Sequence, residues 1–230
     1  MLPESQSVLA QSPLFAGIDQ PELHELLNCL RPKTAVYRKN EYIAIAGDEF
    51  QGLGIVISGE ASVYREDAAG RRVMMAFLNP GDMFGEMMVF VEHPVWPAVV
   101  QANTTCMVCF FESQKIVGEC GKVCPWHRRL VVNMLKLISE RALMLNKKVE
   151  YLTIKSIRGK LSTFFLEQQK KAGNSTFLLT MNRNELAEFL GVSRPSMSRE
   201  MSRMRDEGVI DYHLSSIRIL DVEALKRMVE

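Results

Sequence analysis

The stretch that most constrains this chain is Asn182 to Ile210, NRNELAEFLGVSRPSMSREMSRMRDEGVI, because it holds two helix starts with a helix stop between them. Asn182 is a strong N-cap and Glu185, three residues on, completes a capping box, so a helix runs from here to Leu190. Gly191 ends it. Ser193 caps a second helix, and Pro195 sits in its first turn, where a missing N–H leaves no intrahelical bond unmade. Met197, Met201 and Met204 then recur at i, i+4 and i+7, one apolar stripe for a core. Pro195, Arg199 and Ser202 fall on the opposite face, with Arg194 and Ser198 at its margin. Short side chains let such a face approach DNA closely, and an arginine can donate two hydrogen bonds to guanine O6 and N7. A helical hairpin with a glycine turn can be purely structural, but the capped starts, the apolar stripe, the basic outer face and the following GVI-DY segment together point to a DNA-reading helix-turn-helix. The candidate DNA-binding set is Ser193, Arg194, Pro195, Ser196, Ser198, Arg199, Ser202 and Arg203.

The rest of the chain sets the context. Its 230 residues suffice for two domains. Net charge is only +1, so DNA affinity must come from a local patch rather than a general basic field. No apolar run reaches the length of a membrane span, and the N-terminus lacks a basic stretch followed by an apolar core, so a soluble cytoplasmic protein is expected. Five cysteines without a signal peptide imply a reducing compartment and no structural disulfide.

In chain order, residues 1 to 12 read as polar and loose, and Pro13 to Leu30 as short helices with Asp19 as an N-cap. From Thr34 to Phe111, short β-branched or aromatic runs are cut by Gly47-Asp48, Ser58-Gly59, Ala69-Gly70, Asn79-Pro80-Gly81 and His93-Pro94, the rhythm of an antiparallel barrel or sandwich. Gly54 to Ile57 with Ala61 to Tyr64 reads as a hairpin and Val73 to Leu78 as the next strand. A long helix follows, from Pro125 to about Lys155. On it Val131, Leu135, Ile138, Ala142, Leu145, Val149 and Leu152 are spaced 4, 3, 4, 3, 4, 3, a heptad seam that calls for a second copy and hence a homodimer. A neighbouring stripe, Leu130, Met134, Leu137 and Met144, is suited to covering the barrel. A helix from about Ile157 to Lys171 precedes the helix-turn-helix. Val209 to Tyr212 and Ile217 to Leu220 follow it as a two-stranded wing, and Asp221 caps a last short helix.

Barrel, long helix and winged helix-turn-helix in this order resemble the CRP/FNR family of bacterial transcription regulators. SGEASVY and MAFLNPGDMFGEMMVF are similar to that family's glycine-marked hairpin and effector-pocket segment, and GVSRPSMSR to its recognition helix. The resemblance implies an α+β fold: an N-terminal antiparallel β-roll, a cyclic-nucleotide-binding-like jelly roll, then a long dimerisation helix and a C-terminal winged helix-turn-helix. The expected boundaries are 1–124 for effector sensing, 125–155 for the dimerisation helix and 156–230 for DNA binding. It further implies a dimer with its recognition helices in successive major grooves of an inverted repeat in double-stranded DNA, recruiting or blocking RNA polymerase under a small-molecule effector. There are two departures. Gly85 and Glu86 are kept, but Trp96 and Pro97 stand where members that bind cyclic AMP have an Arg and a Ser or Thr for the cyclic phosphate. An indole and a proline cannot replace the paired bonds of a guanidinium, so cyclic AMP is not the expected effector. The candidate pocket, Phe84, Gly85, Glu86, Met87, Met88, Trp96, Val99 and Met134, suits an apolar or aromatic ligand, or haem. Pro195 stands where many members have a base-reading Glu, which removes an acceptor for cytosine N4 and alters the expected half-site.

The cysteines and histidines are candidates for other chemistry. Cys120, Cys124 and His127 form C-x3-C-x2-H, a candidate metal or redox site, yet zinc and iron–sulfur sites usually take four ligands and only Cys29 could supply a fourth. Haem would need His93, His127 or a cysteine as axial ligand. Cys106 and Cys109, three apart on a strand, face opposite ways and cannot chelate one ion. Buried inert thiols are the expectation. A metal enzyme of the cupin-like class needs a closely spaced HxH pair, and His24, His93, His127 and His213 are far apart. No nucleophile motif or phosphate-cradling glycine loop appears, so no enzyme is expected.

Overall fold

A computed structural model describes residues 3–50, 52–67, 70–118 and 125–229. They form two compact units, residues 1–140 and 141–230, each with an apolar core of its own.

The first unit begins with helix α1 (Pro3–Gln11), a 3-10 turn at Pro13–Phe15 and helix α2 (Gln20–Leu30). Two four-stranded antiparallel sheets follow. One holds β1 (Lys33–Tyr37), β8 (Cys106–Glu112), β3 (Gly52–Ser58) and β6 (Met83–Phe84) in that order; the other holds β2 (Tyr42–Ala44), β7 (Val99–Ala102), β4 (Ala61–Glu66) and β5 (Arg72–Leu78). Strand periodicity assigns the two faces of the first sheet. Leu53, Ile55, Ile57, Cys109 and Phe111 face outward, where Leu14, Phe15, Leu26 and Leu30 cover them. Val56, Cys106 and Val108 face the second sheet and pack with Val100, Ala102 and Leu78. Cys106 and Cys109 therefore lie in different cores, and burial pushes the Cys109 thiol up to about 12, far from thiolate chemistry.

Three expectations need correction. Pro3–Gln11 is not loose: α1 forms there, and Leu9 is fully buried on the outer face of the sheet with Leu14 and Phe15. The supposed hairpin of Gly54–Ile57 with Ala61–Tyr64 does not pair. β3 bonds to β8 and β6, and β4 to β5 and β7, so the chain crosses between sheets. The crossing is made at Gly59, at φ 77°, where a Cβ would lie 2.1 Å from the Thr105 carbonyl oxygen. The third concerns the long helix α4 (Pro125–Thr153): Leu130 and Met134 are buried and Leu137 packs on the same core, but Met144 is 65% exposed. It lies in residues 141–230, whose core does not include it.

The second unit contains the end of α4, α5 (Ile157–Ala172), a short strand β9 (Thr176–Leu178), α6 (Arg183–Leu190), α7 (Arg194–Asp206), the hairpin β10 (Ile210–His213) and β11 (Ser216–Ile219), and α8 (Val222–Arg227). β9 adds to the hairpin in the order β10-β11-β9, a third strand that three residues of sequence did not announce. Tyr151 of α4, Phe165, Leu186, Leu190, Ile210, Ile217 and Leu225 make up the core with the methionine stripe. Ser156 caps α5, accepting from Gly159 N at 2.9 Å, and Asp221 caps α8 through Ala224 N at 2.9 Å.

Candidate nucleic-acid interface and effector site

The helix pair α6 and α7 is built by local bonds. Asn182 Oδ1 accepts from Asn184 N and Glu185 N at 2.9 and 3.1 Å, while the Glu185 carboxylate accepts from Asn182 N at 2.8 Å. Gly191 stops α6 at φ 64°; a Cβ there would strike Leu152 Cδ2 at 2.6 Å. Ser193 Oγ accepts from Ser196 N at 3.2 Å and so caps α7. With Met197, Met201 and Met204 at most 1% exposed, α7 turns Arg194, Pro195, Arg199 and Arg203 to solvent. Ser196 is shared: its Oγ bonds Ser193 Oγ at 2.8 Å and accepts from Arg199 Nη2 at 3.2 Å. Ser198 is half-buried beside them. Ser202 is engaged with the wing, its Oγ 3.1 Å from the Tyr212 hydroxyl, and Arg203 donates to Glu200 at 3.4 Å. Arg194, Arg199 and Arg203 are thus the arginines of this face with donors to spare, though Arg203 is held toward Glu200.

Several residues that sequence reasoning missed hold this face in place. Arg158 of α5 donates from Nε to Glu200 Oε1 at 2.5 Å and from both Nη atoms to the Glu207 carboxylate at 2.8 Å. The same bonds hold the Glu207 carboxyl below its usual range. Lys160, only 6% exposed, donates to the Leu190 carbonyl at 2.8 Å and so completes the C-terminus of α6. One helix, α5, therefore grips both members of the pair. Arg183 and Arg205 place guanidinium carbons 5.0 and 4.9 Å from the Tyr212 ring centroid, adding positive charge where the wing meets α7. Apart from Arg205 and Tyr212, these partners are far apart in sequence, and no local signal announced them.

In the roll, the proposed effector residues separate. Phe84 and Trp96 are 3% and 5% exposed and lie between the sheets with their centroids 6.0 Å apart; Phe50 is 5.0 Å from Trp96, and Phe110 is 6.2 Å from Phe84. Gly85 adopts φ 85°, and a Cβ there would meet the Phe50 ring at 2.3 Å. Glu86 is 2% exposed, Val99 is buried, and Met88 packs on the same core. Met87 and Met134 do not join them. Met87 is 54% exposed, because the 3-10 turn Glu86–Met88 points it outward, and Met134 is buried on the outer face of the first sheet, in the other core. The Trp96 Nε1 donor is buried without a partner.

Cys120 and Cys124 lie outside the described residues. His127 is buried, with Nε2 2.9 Å from the Ile116 carbonyl oxygen and no partner at Nδ1. Among the described residues no three His, Cys, Asp or Glu side chains group to hold a metal ion, and no helix is long and apolar enough to cross a membrane.

Along α4, the seam residues Leu135, Leu145 and Val149 are 51%, 63% and 52% exposed and Ala142 is exposed, while Val131 and Ile138 are half-buried. Ile138 packs on the first core, which makes it a poorer probe of the seam than Leu145.

Comparison with known proteins agrees with this anatomy. Residues 34–120 match the family described as cyclic nucleotide-binding domain, and residues 159–228 the Crp-like helix-turn-helix domain. The cyclic AMP receptor protein of Thermus thermophilus is 24% identical over 220 residues, covering 94% of this chain and 96% of its own. The anaerobic regulatory protein of Pasteurella multocida is 25% identical over 209 residues, covering 90% and 76%. The crystal structure of the Thermus thermophilus catabolite activator protein has the same fold, with a TM-score of 0.54 at 22% identity over 95% of this chain and 98% of that one. With a cyclic-nucleotide-binding domain, a long helix and a Crp-like DNA-binding domain in one chain, and regulators as its relatives, the protein belongs to the CRP/FNR family of transcription regulators.

Proposed function

We propose that the protein is a cytoplasmic homodimer and not an enzyme, that it reads an inverted repeat in double-stranded DNA with α7 in successive major grooves, acts there on RNA polymerase, and answers to a small molecule other than cyclic AMP. The observation that carries the DNA reading is α7 itself: both ends capped, one face sunk in a methionine core, and Arg194 and Arg199 exposed on the other. Selection from a random duplex pool is the direct experiment. It is expected to yield a two-fold repeat with half-site centres about 34–36 Å apart. Arg199→Ala should lose about 1–3 kcal/mol on the selected site and relax preference at one guanine per half-site. Equal losses on selected and random DNA would remove Arg199 from base reading.

The effector reading rests on the roll. Phe50, Phe84, Trp96 and Phe110 pack ring against ring between the sheets, which makes that interior apolar and gives a cyclic phosphate no charged partner among these four residues. No Arg or Lys lies between Arg72 and Lys115 in the sequence to pair a cyclic phosphate locally. An unpaired buried phosphate costs several kcal/mol, enough to take a micromolar site out of use. Calorimetry is therefore expected to show no cyclic AMP binding at micromolar concentration; saturable heat, with tighter DNA binding as its result, would overturn this. A second, metal-responsive reading has one observation behind it. A metal-ligating histidine usually donates its other ring N–H to a carbonyl, as His127 is placed to do toward Ile116, and Cys120 and Cys124 are its neighbours in sequence.

A further inference from the structure

Four rings cluster between the sheets of the roll, and a cleft opens on the outer side of the same connection. Val89, Phe90 and Val91, which follow the 3-10 turn at Glu86–Met88, form one wall of a cleft of about 580 Å3, and Ser113 and Val117 of helix α3 (Ser113–Val117) belong to the other. That volume lies within the range of small-molecule sites, about 300–1,000 Å3. Phe90, Val91 and Val117 leave 43%, 47% and 48% of their surface uncovered there. Ser113 Oγ has no hydrogen-bond partner and is shielded from solvent, so a ligand polar atom reaches it only if α3 gives way.

The charges narrow the ligand further. The lining carries two carboxylates, Glu92 and Glu112, and no Lys or Arg, which disfavours an anion. Glu112 is already paired with Lys33 at 2.8 Å and Lys115 at 3.3 Å, and Glu92 is exposed to water, so no strong demand for a cation remains. The walls also reach the rest of the unit. One continues from Phe84, and the other carries the Ile116 carbonyl that holds His127 in the first turn of α4.

We propose that this cleft binds a small, neutral aromatic or apolar molecule with one hydrogen-bonding group, and that its occupancy changes DNA affinity by shifting α3 against His127. The regulatory half rests on the DNA-binding reading above; the binding half does not. N-phenyl-1-naphthylamine, a neutral fluorescent amine, serves as the probe on the full-length protein. Wild type should give a saturable, blue-shifted rise in emission. Val117→Trp and Val91→Trp, two independent fillings of the cleft, should each weaken binding about tenfold, and Ser113→Ala about threefold. Phe110→Leu, in the roll interior, should leave it unchanged, with far-UV circular dichroism showing that each variant folds. Wild-type binding by both tryptophan variants, or loss only with Phe110→Leu, overturns the site. Probe binding in the cleft that leaves affinity for the selected duplex unchanged overturns its regulatory role. A wild-type protein that selects no duplex at all overturns the DNA reading instead, and leaves the probe result standing.

Discussion

A chain carrying Leu145→Asp is expected to sediment as a monomer and to lose about a thousandfold in affinity for the selected duplex, falling to the level of non-specific DNA. Leu145 is 63% exposed in the single chain and lies on the seam with Leu135, Ala142 and Val149, also uncovered. So much apolar surface on one stripe of a 29-residue helix is a cost unless another apolar surface covers it. In a two-fold pairing each aspartate would sit in that seam close to its own copy, where desolvation and like-charge repulsion act together. The residue is not part of the core of residues 141–230, so the monomer should keep its circular dichroism and melting temperature. A sedimentation profile unchanged from wild type would remove α4 from the dimer interface.

The second large effect is expected from Arg158→Ala. Removing this guanidinium takes three hydrogen bonds from α7 and its C-cap and leaves Glu200, whose side chain is only 14% exposed, with Arg203 at 3.4 Å as its remaining cation. A mostly buried carboxylate stripped of its main partner costs about 2–4 kcal/mol. Denaturant melts should show that loss. DNA binding should also fall on every sequence, because two carboxylates beside the exposed arginines of α7 lose their main cation. Arg158→Lys separates charge from geometry: it restores the charge but not the fork that holds Glu200 and Glu207 together, so it should recover general affinity more than sequence preference. Glu200→Gln with Glu207→Gln in the Arg158→Ala background should recover affinity in the same way. Wild-type stability and sequence preference in Arg158→Ala would show that α5 does not position α7.

The split between what could be read early and what could not follows interaction range. The caps at Asn182 and Ser193, the stop at Gly191 and the methionine stripe depend on bonds or spacings within one or two helical turns, so residue order alone determined them. The heptad spacing on α4 and the identity of Trp96 and Pro97 were legible for the same reason: each is a fact about residue type at a fixed position. Tertiary structure decided which elements those residues meet. Gly54–Ile57 and Ala61–Tyr64 flank a Ser-Gly turn as a hairpin would, but β3 is apolar on both faces and takes a central place beside β8, while β4 pairs in the other sheet. Met134 has the right spacing to face the roll and does so from the outside, away from Trp96. Arg158 reaches Glu200 and Glu207 across 42 and 49 residues, and Lys160 reaches Leu190 across 30. No local propensity encodes such pairs, because the cost of burying each charge is met only by a partner that the folded chain brings to it.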